Sequence, residues 1–304
     1  MPTHPRVLPR SFLYVPGNKP ELFSKASAGP ADALILDLED AVPLAAKAQA
    51  RNDVRGWLTE HSRLGAVPDS PRQQSWVRIN GDSMGADLDT VTIPGLSGVF
   101  LAKCTLDSLQ ETATVLDSLE SSRGMEAGTV LVIGLIESAE ALRQIDEIAR
   151  VRRLTTLAIG EVDLMADLRM TRGPRSEAAL DSLRARFVVS CAATRLLPPV
   201  APTSTAIREL EEFVESSIKM HALGFRSRTA IHPSQVPVIH DVFTPGGAAI
   251  AAAQDIIEQF RQAGDGVATD AAGRMIDAAV VRGAMETLER SALRSGGQPP
   301  PQQS

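Results

Sequence analysis

The sequence predicts an α/β fold, a (β/α)8 TIM barrel followed by a C-terminal helical extension. Three observations lead there. Short β-rich apolar runs alternate with amphipathic stretches along most of the chain. Eight such runs fit within 304 residues, the size of one complete barrel. No Gly-x-Gly-x-x-Gly follows the first run, as an open dinucleotide-binding sheet would require. Composition agrees: 43% apolar and 22% charged residues supply a large core and exclude both disorder and a coiled coil.

The strands are expected at 11–16 (SFLYVP), 33–39 (ALILDLE), 75–80 (SWVRIN), 98–103 (GVFLAK), 130–137 (VLVIGLIE), 155–163 (TTLAIGEVD), 197–202 (LPPVAP) and 228–233 (RTAIHP). The last two are the weakest, because proline cannot donate to a ladder. Helices are expected at 105–120, 138–150, 177–195 and 206–223, with Thr105 and Ser138 placed as N-caps before apolar-periodic runs. Residues 1–245 then form the barrel and 246–295 a helical extension or lid, with helices at 247–262 and 273–292 around a mobile linker at 263–272. Residues 296–304, rich in proline and glutamine, read as a disordered tail.

Lys and Arg number 31 against 37 Asp and Glu, a net charge of −6, which argues against general nucleic-acid binding or a polybasic membrane anchor. Two cysteines without a Cys-x-x-Cys fit a reduced, cytoplasmic setting. The first residues, MPTHPRVLPRS, lack the apolar stretch of a secretion signal, and the apolar run at 130–136 is too short to span a bilayer.

Barrel active sites lie at the carboxyl ends of strands, so acids there are informative. The second strand ends in Asp37, Glu39 and Asp40, the fifth in Glu137, the sixth in Glu161 and Asp163. Alternation puts Asp37 and Glu39 on one face, toward the barrel axis, and Leu36 and Leu38 on the other. Carboxylates gathered there need a cation, and one or two carboxylates completed by water and substrate oxygens is how Mg2+ is usually held. Arg78 shares a face with Trp76 and Asn80. It can grip a substrate carboxylate, offset enolate charge, or pair structurally with Asp37 and Glu39. Lys103 reads either as a Schiff-base amine or as an ion-pair partner. His232 reads as a turn residue, and the histidine spacing excludes a zinc motif. Gly81-Asp-Ser83-Met-Gly85 matches a nucleophile elbow, but the residues after it do not read as the helix an elbow needs. The arginines 169, 172 and 175 make either a phosphate grip or a solvated face.

Several segments together resemble one family. They are RSFLYVPGNKPE (10–21), LILDLEDAVPLAAKAQAR (34–51), VRIN (77–80), GVFLAKC (98–104), LIESAEAL (135–142), GEVDLMADL (160–168), LGFRSRTAIHPSQV (223–236), VFTP (242–245) and GRMIDAAVV (273–281). In that order they resemble the citrate lyase β-subunit-like (HpcH/HpaI aldolase) superfamily, whose CoA-thioester branch includes malyl-CoA and citramalyl-CoA lyases. The resemblance implies a Mg2+-dependent barrel, usually a homo-oligomer (trimer or hexamer), that breaks or makes a C–C bond beside an acyl thioester and releases a small 2-oxo acid. It implies Glu137 and Asp163 as metal ligands and Arg78 as the catalytic arginine on substrate oxygens. Glu39 and Asp40 are implied around the metal and substrate, and Arg10, Asn18 and Lys19 near the CoA nucleotide. Asp277 is implied as an acid serving a neighbouring subunit's site; its alternative is a helix cap. Departures from the family pattern are Ala102 within Leu101-Ala102-Lys103, Glu161-Val162 before Asp163, an acid-free 198–207, and Ser227-Arg228. A thioesterase, a CoA-independent aldolase, and a non-catalytic or carrier-dependent subunit of a citrate-lyase-like complex are the rival readings.

Overall fold

The computed structural model describes residues 7–63, 73–264, 268–269 and 273–292. Eight parallel strands close into a barrel in chain order. They are β1 (Ser11–Pro16), β2 (Ala33–Asp37), β3 (Gln74–Ile79), β4 (Leu96–Leu101), β5 (Leu131–Ile136), β6 (Leu154–Ile159), β7 (Val200–Ala201) and β8 (Ser227–Ala230). Around them run α1 (Phe23–Ser27), α2 (Lys47–Arg63), α3 (Met84–Val91), α4 (Leu106–Ser122), α5 (Ala139–Arg143), α6 (Ile145–Ile148), α7 (Glu161–Asp167), α8 (Glu177–Thr194), α9 (Leu210–Leu223) and α10 (Gln235–Phe243). The barrel unit ends at His240, and a second compact unit begins at Asp241.

The barrel interior is packed, not hollow. Phe12, Trp76 and Phe100 meet edge to face with centroids 5.3–5.7 Å apart, over Ile35, Ile133 and Val200. Gly98 makes room for the indole: a Cβ there would lie 2.3 Å from Trp76 Cζ3. This plug closes the barrel below the level of Arg78 and leaves the carboxyl ends open above it.

Strand positions follow the sequence reading, with instructive differences. The sixth strand stops at Ile159 instead of running to Asp163, because Gly160 turns the chain into α7. Glu161 and Asp163 therefore sit in a helix's first turn, where negative side chains are favoured. The seventh strand shrinks to two residues between Pro199 and Pro202. Thr105 caps α4 through a reciprocal box with Ser108, and Ser138 caps α5 through Ala141 N. The predicted helix at 138–150 is two short ones meeting at Gln144. Helix α2 was not among the expected helices; in it Ala50, Val54 and Leu58 repeat every four residues and are all buried.

Helix α3 corrects the reading of Gly81–Gly85: a helix does follow Ser83. Ser83 itself has φ −127°, without the strained backbone of a nucleophile elbow.

The second unit holds α11 (Gly247–Gln262), a two-stranded antiparallel sheet of β9 (Ala268–Thr269) and β10 (Met275–Ile276), and α12 (Ala278–Ser291). The expected linker thus contains a strand. The expected tail at 296–304 lies outside the described residues, as does part of that linker.

Candidate active site

At the carboxyl end of the barrel a cavity of about 480 Å3 opens, lined by Tyr14, Asp37, Asp40, Arg78, Glu137 and Asp163 among others. Of the residues expected at the site, Asp40, Arg78, Glu137 and Asp163 line this cavity, and Glu39 adjoins it through Arg78.

Strand pairing places Asp37 directly beside Arg78. Arg78 forks onto Asp37, Nε to Oδ1 at 2.6 Å and Nη2 to Oδ2 at 2.7 Å, while Nη1 lies 3.0 Å from Glu39 Oε2. Its guanidinium also rests over the Tyr14 ring, 5.0 Å from the centroid. Asp37 accepts two further bonds, from Glu39 N and Ala41 N. The pairing of Arg78 with Asp37 and Glu39 is therefore real, and it fixes the planar cation at the cavity wall. Burial disfavours the charged guanidinium, but the Asp37 bonds outweigh it and raise its proton affinity.

Lys103 adopts a left-handed backbone, φ 49°, an uncommon state for a non-glycine residue. That conformation aims its N–H at Glu137 Oε2 (2.6 Å) and its ammonium at Glu39 Oε1 (2.7 Å). The Glu39 bond raises the lysine's pKa, the opposite of what a Schiff-base amine needs. Lys103 is an ion-pair partner.

Glu137 is buried, and Gly160 packs so close that a Cβ there would lie 2.4 Å from Glu137 Cγ. Burial pushes its carboxyl up to about 7, aided by the charges of Glu39 and Asp163 and opposed by the Lys103 N–H and Arg78. Asp163 lines the same cavity and is exposed. Among the described residues no three His, Cys, Asp or Glu side chains form a ready-made cage. Two carboxylates lining one cavity, the buried one with no side-chain cation paired to it, nevertheless fit a hard dication that keeps its remaining positions for water and substrate. Asp40, beside Glu39, is raised to about 6 by burial and by sharing a hydrogen bond with that carboxylate.

Glu161, expected with Asp163, also lines the cavity, but its carboxylate is already paired. It is tied by Arg184 at 2.7 and 2.9 Å and by Arg172 at 2.6 Å, anchoring α7 to α8. Arg172 is thus a structural partner. His232 bonds Ser234 within its own turn.

Residues 10–233 match the HpcH/HpaI aldolase/citrate lyase family. The chain belongs to this family. It is similar to the citrate lyase subunit beta of Leuconostoc mesenteroides subsp. cremoris, 30% identical over 93% of either chain. It is also similar to the L-malyl-CoA/beta-methylmalyl-CoA lyase of Rhodobacter capsulatus, 29% identical over 96% of either chain. The crystal structure of the protein CitE from Mycobacterium tuberculosis in complex with magnesium, acetoacetate and coenzyme A superposes with a TM-score of 0.71. It is 26% identical, covering 95% of this chain and 100% of that one.

Within this family member, Asn18 and Lys19 follow β1 at the cavity end, where Asn18 Oδ1 is buried without a hydrogen-bond partner. Arg10 is a different case. It precedes β1, at the opposite end of the barrel, and its Nε and Nη2 fork onto Asp32 at 2.8 and 2.7 Å. The basic residues flanking β1 are adjacent in sequence, yet six residues of strand separate their ends of the barrel. Asp277 lies in the second unit, where its Oδ1 accepts from Ala279 N (2.9 Å) and Val280 N (3.0 Å), capping α12.

Sequence reasoning missed Lys47, Asn80 and Asp87. Lys47 Nζ donates to Leu38 O, Glu39 O and Asn80 Oδ1 at 2.7, 3.0 and 2.7 Å. Asn80 in turn donates to Leu38 O and to the buried Asp87. Together they hold the loop carrying Glu39 and Asp40 against β3. Lys47 and Asn80 lie 33 residues apart, so no local pattern signals the pair.

Proposed function

We propose that this chain is a Mg2+-dependent carbon–carbon lyase acting on a 3-hydroxy-3-carboxyacyl-CoA thioester of the malyl-CoA or citramalyl-CoA type. The observation that carries it is the placing of Glu137 and Asp163, two carboxylates fit for a dication, in one cavity with a rigidly oriented arginine. Glu137 and Asp163 would hold Mg2+, which supplies a Lewis acid and template for the substrate's hydroxyl and carboxylate.

Loss of the hydroxyl proton to solvent water lets the C2–C3 bond break. Its electron pair passes to the thioester, giving a 2-oxo acid and an acyl-CoA enolate. Arg78, locked by Asp37, faces the developing negative charge without reorganising. Glu39 and Asp40 order water and substrate around the metal. Asn18 and Lys19 meet the CoA nucleotide; Arg10, spent on Asp32, contributes to that end only through the fold. Asp277 exchanges a proton with the acyl carbon, from a neighbouring subunit of a homo-oligomer, and must leave its capping bonds to do so. The setting is the cytoplasm, consistent with two buried, unpaired cysteines.

The test is to incubate the purified chain with malyl-CoA or citramalyl-CoA, with and without Mg2+, and follow 2-oxo acid and free CoA thiol separately. Metal-dependent 2-oxo acid without free thiol supports the lyase. Free thiol with intact hydroxy acid makes the protein a thioesterase. Turnover only with an acyl-carrier partner makes it a citrate-lyase-like subunit.

A further inference from the structure

Strand β1 sends alternate side chains into the barrel, Phe12 to the aromatic plug and Tyr14 above it. The Tyr14 ring packs on that plug, lines the cavity, and lies under the Arg78 guanidinium, 5.0 Å from its centroid. Tyr14 is partly buried, yet among the described residues its hydroxyl makes no hydrogen bond and is not sealed from solvent. The O–H therefore opens into the cavity with its donor capacity unspent. Of the three hydroxyls lining that space, Thr229 is spent on Ala201 O at 3.2 Å, and Tyr14 is the one whose ring the arginine covers. Each guanidinium nitrogen of Arg78 already faces a carboxylate, on Asp37 or Glu39, so an anion arriving there meets a cation whose charge is shared. Around the closed barrel β1 stands four strands from β5 in either direction, across from Glu137.

We infer, resting on the lyase reading above, that the Tyr14 hydroxyl donates a hydrogen bond to the thioester oxygen of the substrate as that oxygen takes up enolate charge. In that reading the substrate's hydroxyl and carboxylate lie at Glu137, so the thioester half falls toward β1, whose following loop carries Asn18 and Lys19. When the C2–C3 bond breaks, its electron pair forms the double bond between C2 and the thioester carbon. The carbonyl π pair moves onto oxygen, where the phenol meets it. Tyrosine ordinarily ionises near pH 10, so the phenol keeps its proton and acts as a neutral donor throughout. Its bond strengthens as the charge grows, and it supplies what an arginine shared with two carboxylates cannot supply alone.

The test is Tyr14→Phe, which keeps the ring on the plug and under Arg78 and removes only the donor. It is assayed at saturating Mg2+ with malyl-CoA or citramalyl-CoA, whichever the wild type cleaves. The expected result is a fall in kcat of at least about tenfold with KM within about twofold of wild type. The rise in Tm given by Mg2+ should match that of the wild type, since neither proposed ligand is touched. A kcat within about twofold of wild type overturns the inference, and so does a loss confined to KM, which marks a bond made equally in the ground state. Product inhibition by the released 2-oxo acid locates the bond: its inhibition constant should stay within about twofold of wild type. Weakening of that constant by about tenfold puts the hydroxyl on the oxo-acid half and overturns the assignment to the thioester oxygen. A wild-type chain that releases 2-oxo acid from neither thioester refutes the lyase reading itself, and this inference falls with it.

Discussion

Replacing Arg78 with Lys separates the charge of this residue from its shape. In the wild-type chain the guanidinium donates two parallel bonds to Asp37 and reaches Glu39 with its third nitrogen, at 2.6, 2.7 and 3.0 Å. Arg78 is 12% exposed and Asp37 3%, so neither partner is rescued by bulk water. A lysine ammonium can replace one of these contacts but cannot span both Asp37 oxygens in one plane. Losing one bond between charged groups costs about 1.5–3 kcal/mol, which the urea midpoint will register. Activity should fall further than charge alone predicts. Because the plane facing the substrate is set by the fork, kcat/KM should drop at least about tenfold, or about 1.4 kcal/mol of transition-state stabilisation. Adding Asp37→Asn completes a double-mutant cycle. If Asp37 acts by orienting Arg78, the two losses in kcat/KM will be non-additive by about 1 kcal/mol or more. A kcat/KM for Arg78→Lys within twofold of wild type would refute the reasoning and leave Arg78 a purely structural cation.

Four further outcomes are expected. Glu137→Gln and Asp163→Asn should each abolish Mg2+-dependent turnover while the chain stays folded, and the rise in Tm that Mg2+ gives the wild type should vanish; retention of both responses at limiting Mg2+ would dismiss the ligand pair. Gly98→Ala drives a methyl into Trp76, so it should cost about 1–3 kcal/mol by urea denaturation; a neutral result would mean that the indole has room to shift. Burial opposes ionisation of Glu120, but the fork from Arg153 and the N–H groups of Val130 and Gly128 outweigh it and hold its carboxyl below the usual range. Its stabilisation is therefore complete above the ordinary carboxylate pKa and lost as pH falls through the lower native value, so the advantage of wild type over Glu120→Gln should shrink between pH 6 and 3 and not grow. Mixing Asp277→Asn chains with Arg78→Ala chains should partly restore activity if sites are shared between subunits; no recovery after proven subunit exchange would confine Asp277 to capping α12.

The barrel was legible in the sequence because its signals are local. Eight apolar runs, the caps Thr105 and Ser138, and the acids at strand ends each depend on residues a few positions apart, where backbone geometry alone sets which side chains share a face. The alternation in LILDLED was enough to send Asp37 and Glu39 inward, and WVRIN enough to put Arg78 above Trp76. The tertiary structure decided what such local rules cannot reach. Gly160 ends β6 early, so Glu161 and Asp163 fall in the first turn of α7: both line the cavity, but Glu161 is spent on Arg184 and Arg172. Arg10 and Lys19 look alike in sequence, yet the strand between them sends one to Asp32 and the other to the cavity end. The Lys47–Asn80 bond and the Lys103 contacts with Glu137 and Glu39 join groups 33, 34 and 64 residues apart, and only closure of the barrel brings them within bonding distance. The sequence names which groups can carry charge; burial and long-range pairing determine which of them are left free to use it.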